Sequence, residues 1–202
     1  MKRNNVICRK ALPTDDVGRI AECLHLTDPY IYPTVCSDPL DKDWKNLIAA
    51  CMQKRDNVFF IEHLSVVTVD GEIKGVACVL PPNKELSFLD GIEYPARLQD
   101  GLQTANAGYF VPLAEETKAL DGGNVANICI HPSARRQGLG EKLLQYCIQE
   151  QGKNTLYLDV IADNIGAIAL YEKQGFEKKK AYYGFSGQAQ PLPCWQMVRK
   201  QS

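Results

Sequence analysis

The 202-residue sequence lacks several features that would assign it to a class of protein at once. Lys and Arg number 23 and Asp and Glu 24, so no excess of positive charge indicates binding to nucleic acid or to a membrane surface. No apolar run reaches the roughly 18 residues of a membrane-spanning helix, and the basic N-terminus leads into no apolar segment of signal-peptide length. We expect a cytoplasmic protein that binds neither nucleic acid nor a membrane.

The eight cysteines form no CxxC pair and, with the three histidines, no spacing that is typical of a zinc site. We therefore expect no metal ion, and we expect reduced thiols in a cytoplasmic protein. Cys129 lies two residues from His131, but this spacing on a strand end does not by itself place a nucleophile against a base.

With 45% hydrophobic residues the chain can form one sizeable core, and we expect a single domain spanning residues 1–202. Hydrophobic periodicity predicts the helices and strands, and Asp70-Gly71 between two β-rich runs predicts a hairpin. The predicted strands are 5–9, 65–69, 73–80, 124–130, 155–161, 176–183 and 195–199. Four helices are predicted. The first follows a cap and acidic residues at 13–16, and the second begins near 44 and ends near 56. The third and fourth span residues 138–151 and 165–174.

Residues 83–123 show no clear period and are long for a connection inside a compact domain. We expect an insertion there that combines some helix with a functional loop. It carries seven acidic side chains against three basic ones, and its net charge of −4 would favour a cationic partner such as an amine. The same charges are also typical of a solvated surface.

The segment Arg135-Arg136-Gln137-Gly138-Leu139-Gly140 follows a predicted strand and opens a predicted helix. The first amides of a helix attract anions, glycines permit a close approach, and arginines add charge-assisted contacts. The spacing indicates a phosphate-binding loop, although a plain turn with solvated arginines would show the same residues. A P-loop is excluded because Lys142 has no preceding glycine and is followed by Leu143, and a Rossmann fingerprint would need glycine at position 143.

Two blocks of the sequence together resemble one family. Residues 135–140 (RRQGLG) match an R/Q-x-x-G-x-G/A signature, and residues 158–176 (LDVIADNIGAIALYEKQGF) match an LxV…N..A..LYe..GF motif. Both blocks are similar to the GCN5-related N-acetyltransferases (the GNAT family), and residues 156–185 resemble ribosomal-protein N-terminal alanine acetyltransferases. The resemblance implies an α/β (α+β) fold with a mixed sheet of about seven strands, about four flanking helices, and a splay between strands 4 and 5.

The resemblance implies acetyl-coenzyme A as the cofactor. Amides of the loop would hold its pyrophosphate, strand residues at the splay would pair with its pantetheine arm, and Asn164 would bond that arm while capping the next helix. The implied cofactor-binding residues are Ile128, Cys129, Ile130, Arg135, Arg136, Gln137, Gly138, Leu139, Gly140, Glu141, Asn164, Ala167 and Tyr171.

The implied reaction is direct attack of an amine on the thioester. An alkyl amine with a pKa of about 10.4 is protonated at neutral pH, so a base is needed, and Asp159 is the leading candidate. Tyr171 would act as the general acid, and the Ile128 amide would stabilise the oxyanion. A packing role for Tyr171 and a plain outward strand position for Asp159 stay open. Three carboxylates in the insertion are alternative bases: Glu115, Glu116 and Asp121.

The implied acceptor groove contains four tyrosines that could equally be packing anchors: Tyr30, Tyr32, Tyr182 and Tyr183. The acceptor would be a small-molecule or peptide amine, and the protein a monomer or homodimer. Two other functions stay open. One is a non-catalytic acyl-coenzyme A sensor, against which Tyr171 argues, and the other is a pure interaction module, which the two motifs disfavour.

Overall fold

The computed structural model describes residues 4–27, 43–82, 122–185 and 191–200. The helices are α1 (Val17–His25), α2 (Asp43–Cys51), α3 (Leu139–Glu150) and α4 (Ile165–Lys173). The strands are β1 (Val6–Lys10), β2 (Leu64–Val69), β3 (Glu72–Leu80), β4 (Gly122–Ile130), β5 (Thr155–Ile161), β6 (Glu177–Phe185) and β7 (Pro191–Arg199). Their order is the predicted one. The predictions that lie outside the described residues concern residues 83–121 of the insertion, with Glu115, Glu116 and Asp121, and the tyrosines Tyr30 and Tyr32.

The seven strands form one sheet in the order β1-β2-β3-β4-β5-β7-β6. All neighbouring strands run antiparallel except β4 and β5, which run parallel. This mixed sheet is the expected fold class, and it excludes the Rossmann alternative, whose doubly wound sheet is mostly parallel. Asp70 and Gly71 join β2 to β3 with φ angles of 51° and 87°, as in a type I′ hairpin turn.

β4 and β5 pair only where both strands begin. The paired residues are Gly122 with Thr155, Gly123 with Leu156, and Asn124 with Tyr157. Beyond these positions the two strands continue to Ile130 and Ile161 without pairing to each other. The predicted splay between strands 4 and 5 is therefore confirmed.

β4 starts two residues before the predicted strand at 124, so the last two positions of the expected insertion belong to the sheet. Glycine weakens most strands, which is why the sequence pattern places Gly122 and Gly123 in the connection. A Cβ on Gly122 would lie 2.4 Å from the Thr155 carbonyl oxygen. Only glycine lets β4 approach β5 this closely.

Helices cover both faces of the sheet, and each face has its own core. The core under α3 and α4 includes Leu143, Leu144, Cys147, Leu156, Leu158, Ile168 and Tyr171. The core under α1 and α2 includes Ile20, Leu24, Ile48, Cys51, Val66, Val76 and Cys129. Because successive strand residues point to opposite faces, the register of each strand decides which helix layer a site residue faces.

Two element boundaries differ from the prediction by several residues. α2 ends at Cys51 rather than near residue 56, and the chain then turns, since the Lys54 amide donates to the Cys51 carbonyl (3.0 Å) and the buried Asn57 side chain accepts a hydrogen bond from the Phe59 amide (2.9 Å). β7 begins at Pro191 rather than at Trp195. Its first residues pair with β6 alone, so the missing proline amides remove no hydrogen bond to β5.

α1 begins at the predicted cap. The Asp16 side chain accepts a hydrogen bond from the Arg19 amide at 3.0 Å. Asp15 instead pairs with Arg9 at 2.6 Å, so the acidic residues precede the helix and do not occupy its first turn. Within the described ranges, no helix has the length and hydropathy of a membrane span.

Candidate active site

A short loop leads from the end of β4 into α3. His131 caps a 3-10 turn (Pro132–Ala134), where its Nδ1 accepts a hydrogen bond from the Ser133 amide at 3.3 Å. The Arg135 Nε then donates to the Ile130 carbonyl oxygen at 3.0 Å. The loop is thereby tied to the strand that precedes it.

The backbone of the predicted phosphate loop is left-handed at two residues. Arg136 has a φ of 62° and Gly138 a φ of 73°, and Gly138 is the N-cap of α3 without a side-chain cap. The Lys142 amide donates to the Gly138 carbonyl at 3.2 Å and is the first amide that donates within the helix, so the amides of Leu139 to Glu141 have no partner inside α3. No atom of the described residues lies within 4 Å of a Cβ built on Gly138, so the loop surface is open to that extent. Uncapped amides beside two arginines suit a multiply charged anion such as a diphosphate.

The start of α3 is fixed against two other elements. A Cβ on Gly140 would lie 3.6 Å from both Ile130 of β4 and Leu170 of α4. The Glu141 carboxylate accepts a hydrogen bond from Lys173, in the last turn of α4, at 2.8 Å. The loop, the end of β4 and the end of α4 therefore form one contiguous surface.

The hydrogen-bond register of β4 determines where its amides point. The His131 amide donates to the Lys74 carbonyl of β3 at 2.8 Å, and bonded positions alternate along an antiparallel pair. Cys129 is therefore also bonded to β3, whereas the N–H and C=O groups of Ile128 and Ile130 point away from it. Since the pairing with β5 ends before this point, these groups face the gap of the splay. The position suits the oxyanion role predicted for the Ile128 amide.

Cys129 brings no reactive thiol to the gap. Its side chain is 7% exposed in the core under α1 and α2, and burial raises the pKa of the thiol. His131 has other contacts, because its Nδ1 lies 2.7 Å from the Ser133 hydroxyl and its Nε2 lies 3.7 Å from Glu22. The alternative of a cysteine nucleophile is disfavoured, and Cys129 offers a cofactor neither an unpaired backbone group nor an exposed side chain.

α4 carries two of the predicted site residues. Asn164 caps the helix by accepting a hydrogen bond from the Ala167 amide at 3.2 Å, and its side-chain nitrogen forms no hydrogen bond in the part of the chain that is described. Tyr171 is 7% exposed, packs with its ring centroid 6.0 Å from that of Phe176, and belongs to the core against which Ile128 packs. Burial raises the pKa of Tyr171 to about 12, so its hydroxyl keeps its proton at neutral pH.

Asp159 lies on the opposite face of the sheet from Tyr171. Its neighbours Leu158 and Val160 lie in the core under α3 and α4, so Asp159 faces the other way. The Tyr182 hydroxyl donates a hydrogen bond to the Asp159 carboxylate, while Oδ1 is buried without a partner among the described residues. Burial raises the pKa of Asp159 to about 6, and the hydrogen bond from Tyr182 opposes part of this rise. A carboxylate with this pKa is ionised at neutral pH and can accept a proton, as a general base must.

The acetyltransferase (GNAT) family model matches residues 20–176, which contain the loop, the gap, Asp159 and Tyr171. The chain belongs to the GNAT family. Acetyl-coenzyme A is the acetyl donor of this family, so the predicted cofactor and fold are both confirmed at the level of the family.

The relatives include [ribosomal protein bS18]-alanine N-acetyltransferase of Escherichia coli K12, which is 39% identical to this chain over 87 residues. The aligned residues cover 40% of this chain and 59% of that protein. The chain thus aligns with little more than half the length of this curated relative. An N-acetyltransferase structure from Staphylococcus aureus Mu50 has a TM-score of 0.74 at 18% identity and covers 95% of this chain and 99% of that one. The Salmonella typhimurium protein yncA, solved with its cofactor acetyl-CoA, has a TM-score of 0.52 at 18% identity over 98% and 94% of the two chains. These structures show the shared GNAT fold.

The strand register determines which of the predicted tyrosines lies on the same face of the sheet as Asp159. Asp159 pairs with Gln196 on β7, and Cys194, two residues away on the same face, pairs with Tyr182 on β6. Tyr182 and Asp159 therefore share one face of the sheet. Tyr183 points to the other face and is 68% exposed, so the structure does not bring it to Asp159.

Sequence reasoning misses two polar residues on the face that carries Asp159. Gln196 is the direct cross-strand partner of Asp159. Asn127 follows a bulge in β4, and its Nδ2 donates to the Thr27 hydroxyl at 2.7 Å, which ties β4 to the end of α1. Neither residue belongs to a motif, and only the pairing of strands reveals its place.

Proposed function

We propose that this protein is an acetyl-coenzyme A-dependent N-acetyltransferase that transfers the acetyl group directly to a primary amine. The observation that carries the proposal is that the uncapped start of α3 adjoins the gap beside β4. A ligand that joins a diphosphate to an extended amide-containing arm needs both features. The loop at Gly138 offers amides to the diphosphate, and the gap offers the N–H and C=O groups of Ile128 and the N–H of Ile130 to the arm, while the Ile130 carbonyl is bonded to Arg135.

The residues of this chain suit both ends of the cofactor. Bound acetyl-coenzyme A supplies an activated acetyl group, and the chain has to orient it and move two protons. The residues that would hold the diphosphate are Arg135, Arg136, Gln137, Gly138, Leu139, Gly140 and Glu141. The residues that would hold the arm are Ile128, Ile130, Asn164, Ala167 and Tyr171.

Asp159 would act as the general base. An alkylammonium acceptor has a pKa of about 10.4 and a peptide α-ammonium one of about 7.7–8.0, so either must lose a proton before it can attack. With a pKa of about 6, Asp159 is mostly ionised at neutral pH. The rate should therefore rise as the pH increases through about 6 and Asp159 ionises.

Tyr171 would act as the general acid and the Ile128 amide as the oxyanion donor. The Tyr171 hydroxyl keeps its proton because burial raises its pKa to about 12. Within the described ranges, no strand pairs with Ile128 on the side of the gap, so its N–H is available to a ligand. One such donor typically contributes about 100- to 1,000-fold to the rate.

The acceptor would be a small-molecule or peptide amine. The name of the Escherichia coli relative makes a peptide that begins with alanine the first acceptor to test. Oδ1 of Asp159 is buried and forms no hydrogen bond to the described residues, which favours a cationic acceptor that brings its own hydrogen-bond donors. A cytoplasmic location and a monomeric or homodimeric state belong to the same proposal.

The test is a panel of amines incubated with acetyl-coenzyme A, with free thiol measured over time and the acetylated product identified by mass spectrometry. The panel contains an alanine-first peptide, a polyamine, an aminoglycoside and free amino acids. We expect thiol release that depends on one class of amine. Tyr171→Phe should lower turnover about 100-fold with little change in cofactor affinity, and Tyr146→Phe on α3 is the matched control.

The same assay separates the alternatives. Cofactor binding without turnover for every amine would favour the acyl-coenzyme A sensor, and no cofactor binding at all would leave the interaction module. Wild-type turnover in Tyr171→Phe would remove this tyrosine from the mechanism and restore its packing role.

A further inference from the structure

Tyr182 and Asp159 are joined across an intervening strand. Tyr182 lies on the edge strand β6 and Asp159 on β5, and β7 runs between them. Their partners on β7, Cys194 and Gln196, lie on one face of the sheet. The Tyr182 hydroxyl crosses β7 to donate a hydrogen bond to the Asp159 carboxylate, and it also contacts the Cys194 thiol. One oxygen of the carboxylate is thus held from two strands away.

The other oxygen of the carboxylate has no such partner. Oδ1 of Asp159 is buried and forms no hydrogen bond within the described structure. An unsatisfied buried acceptor typically costs about 1–3 kcal/mol, and more when it is charged, so native proteins rarely keep one without a reason. The two oxygens therefore differ, because Tyr182 holds one and the other is left for a donor that arrives with water or a ligand.

The other ionisable residues paired on this face of β5, β7 and β6 are Tyr157 on β5, Cys194 on β7, and Lys180 and Glu177 on β6. Burial first and then the charge of Asp159 raise the pKa of both Tyr157 and Tyr182. Helix α1, on the same side, packs on β3 and β4. Among the described groups, Tyr182 is the one whose hydrogen bond acts on the ionisation of Asp159.

We propose that Tyr182 is a positioning residue for Asp159: it holds one carboxylate oxygen and leaves Oδ1 to accept the proton of the acceptor ammonium. The inference rests on the proposed function. In this step an N–H bond of the ammonium breaks, an O–H bond forms at Oδ1, and the nitrogen keeps the electron pair with which it attacks. Tyr182 keeps its own proton throughout. Because its hydrogen bond favours the ionised carboxylate, Tyr182 lowers the pH at which Asp159 begins to act as a base.

The test is a direct titration of Asp159 by NMR in the whole protein without any substrate. Aspartate carboxyl carbons are labelled with ¹³C, and the Asp159 signal is identified by its loss in Asp159→Asn. We expect a midpoint near 6 in the unmodified protein and a higher midpoint in Tyr182→Phe. Tyr146→Phe on α3, the matched control, should leave the midpoint unchanged. Equal midpoints in the unmodified protein and in Tyr182→Phe would overturn the proposal.

A second measurement needs no variant and therefore holds if Tyr182→Phe does not fold. In the unmodified protein, the ring carbon of Tyr182 that bears the hydroxyl should shift with the same midpoint as Asp159. A Tyr182 signal that stays constant through that range would overturn the contact itself.

Kinetics then separate the positioning role from the proposed function. Tyr182→Phe should lower kcat/KM for the amine and move the midpoint of its pH profile upward, in step with the NMR titration. A lower rate with an unchanged midpoint would overturn the positioning role. If Tyr182 and Asp159 titrate with the same midpoint but the protein acetylates no amine, the contact between them is confirmed and its role in catalysis is overturned.

Discussion

The two halves of the candidate site are built from different parts of the chain. On the cofactor half the groups are backbone amides, set by the left-handed Arg136 and Gly138 and by a strand register that turns Ile128 toward the gap. On the acceptor half they are side chains, Asp159 and Tyr182, which come together across β7. A backbone site can be recognised from the spacing of one short segment, whereas a side-chain site depends on how separate strands are aligned.

This difference predicts opposite sensitivities in the two halves. The cofactor half should tolerate changes of most side chains but not the loss of a glycine that shapes the backbone. The acceptor half should tolerate no isosteric change at Asp159, because a single carboxylate carries the chemistry.

The largest effect is expected for Gly138→Val. A β-branched residue opposes the left-handed φ of 73° and covers the first amides of α3. We therefore expect the affinity for coenzyme A to fall about 100-fold or more, which corresponds to the loss of one or two charge-assisted hydrogen bonds. Isothermal titration calorimetry measures this change.

Gly152→Val is the matched control for Gly138→Val. Gly152 follows α3, has a φ of 58°, and likewise has no atom within 4 Å of a built Cβ. Both variants should lose about 1–2 kcal/mol of stability, but only Gly138→Val should lose the cofactor. Equal affinities in the two variants would remove the loop from the cofactor site.

The next effect is expected for Asp159→Asn. Loss of a general base should lower kcat/KM for the amine about 100-fold, and the rise of the rate through a pH of about 6 should disappear. Assays at high pH should partly rescue the variant, because more of the amine is already neutral. If Asp159→Asn leaves kcat/KM for the amine unchanged, Asp159 is not the base. The next candidates are then Glu115, Glu116 and Asp121, which can be tested as Gln and Asn variants.

The sequence predicts the strand and helices of the cofactor half well because their signals are local. The strand at 155–161 is found with the predicted bounds, since its alternation of buried and half-buried residues is regular. α3 begins within one residue of the prediction, and Asn164 caps α4 as its position before the helix suggests. Each of these features depends on residues that are close in sequence.

The acceptor half is less predictable because one bulge decides it. The pairing of β6 with β7 shifts between Lys178 and Lys180, so that Tyr182 pairs with Cys194 and faces Asp159. Without the extra residue, Tyr183 would take that face instead, since a shift by one position exchanges the two faces of a strand. No local pattern in the sequence marks this bulge, so the resemblance, which implies both Tyr182 and Tyr183, does not tell the two residues apart.

A smaller effect on the cofactor half is expected for Arg136→Gln. The exposed guanidinium would contribute one charge-assisted contact to the diphosphate, so its loss should weaken coenzyme A binding about tenfold, or about 1.4 kcal/mol. Arg55→Gln, in the segment after α2, is the charge-matched control and should bind normally. Equal weakening in both variants would mean that the effect is general electrostatics rather than a contact.

The smallest effect is a pH-dependent gain of stability in Asp159→Asn. The pKa of Asp159 in the folded protein, about 6, lies above the ordinary aspartate value of about 3.8. The stability that Asp159 contributes is therefore full below the lower value and is lost as the pH rises through the higher one. Asparagine does not ionise and avoids this loss, so at high pH the variant should be more stable than the unmodified protein by about 1 kcal/mol in the free energy of unfolding. Such a difference raises the melting temperature by a few degrees. Thermal melts at pH 5 and pH 8 measure it, and an equal difference at both would contradict the raised pKa.

The most direct test of the cofactor site is a map of backbone amide NMR shifts on addition of coenzyme A to the ¹⁵N-labelled protein. Binding at the loop and the gap predicts the largest shifts at Leu139, Gly140 and Glu141 and at Ile128, whose amide faces the gap between β4 and β5. Unchanged signals at these residues, with shifts confined to the cleft lined by Lys10, Arg55 and Asn154, would contradict it.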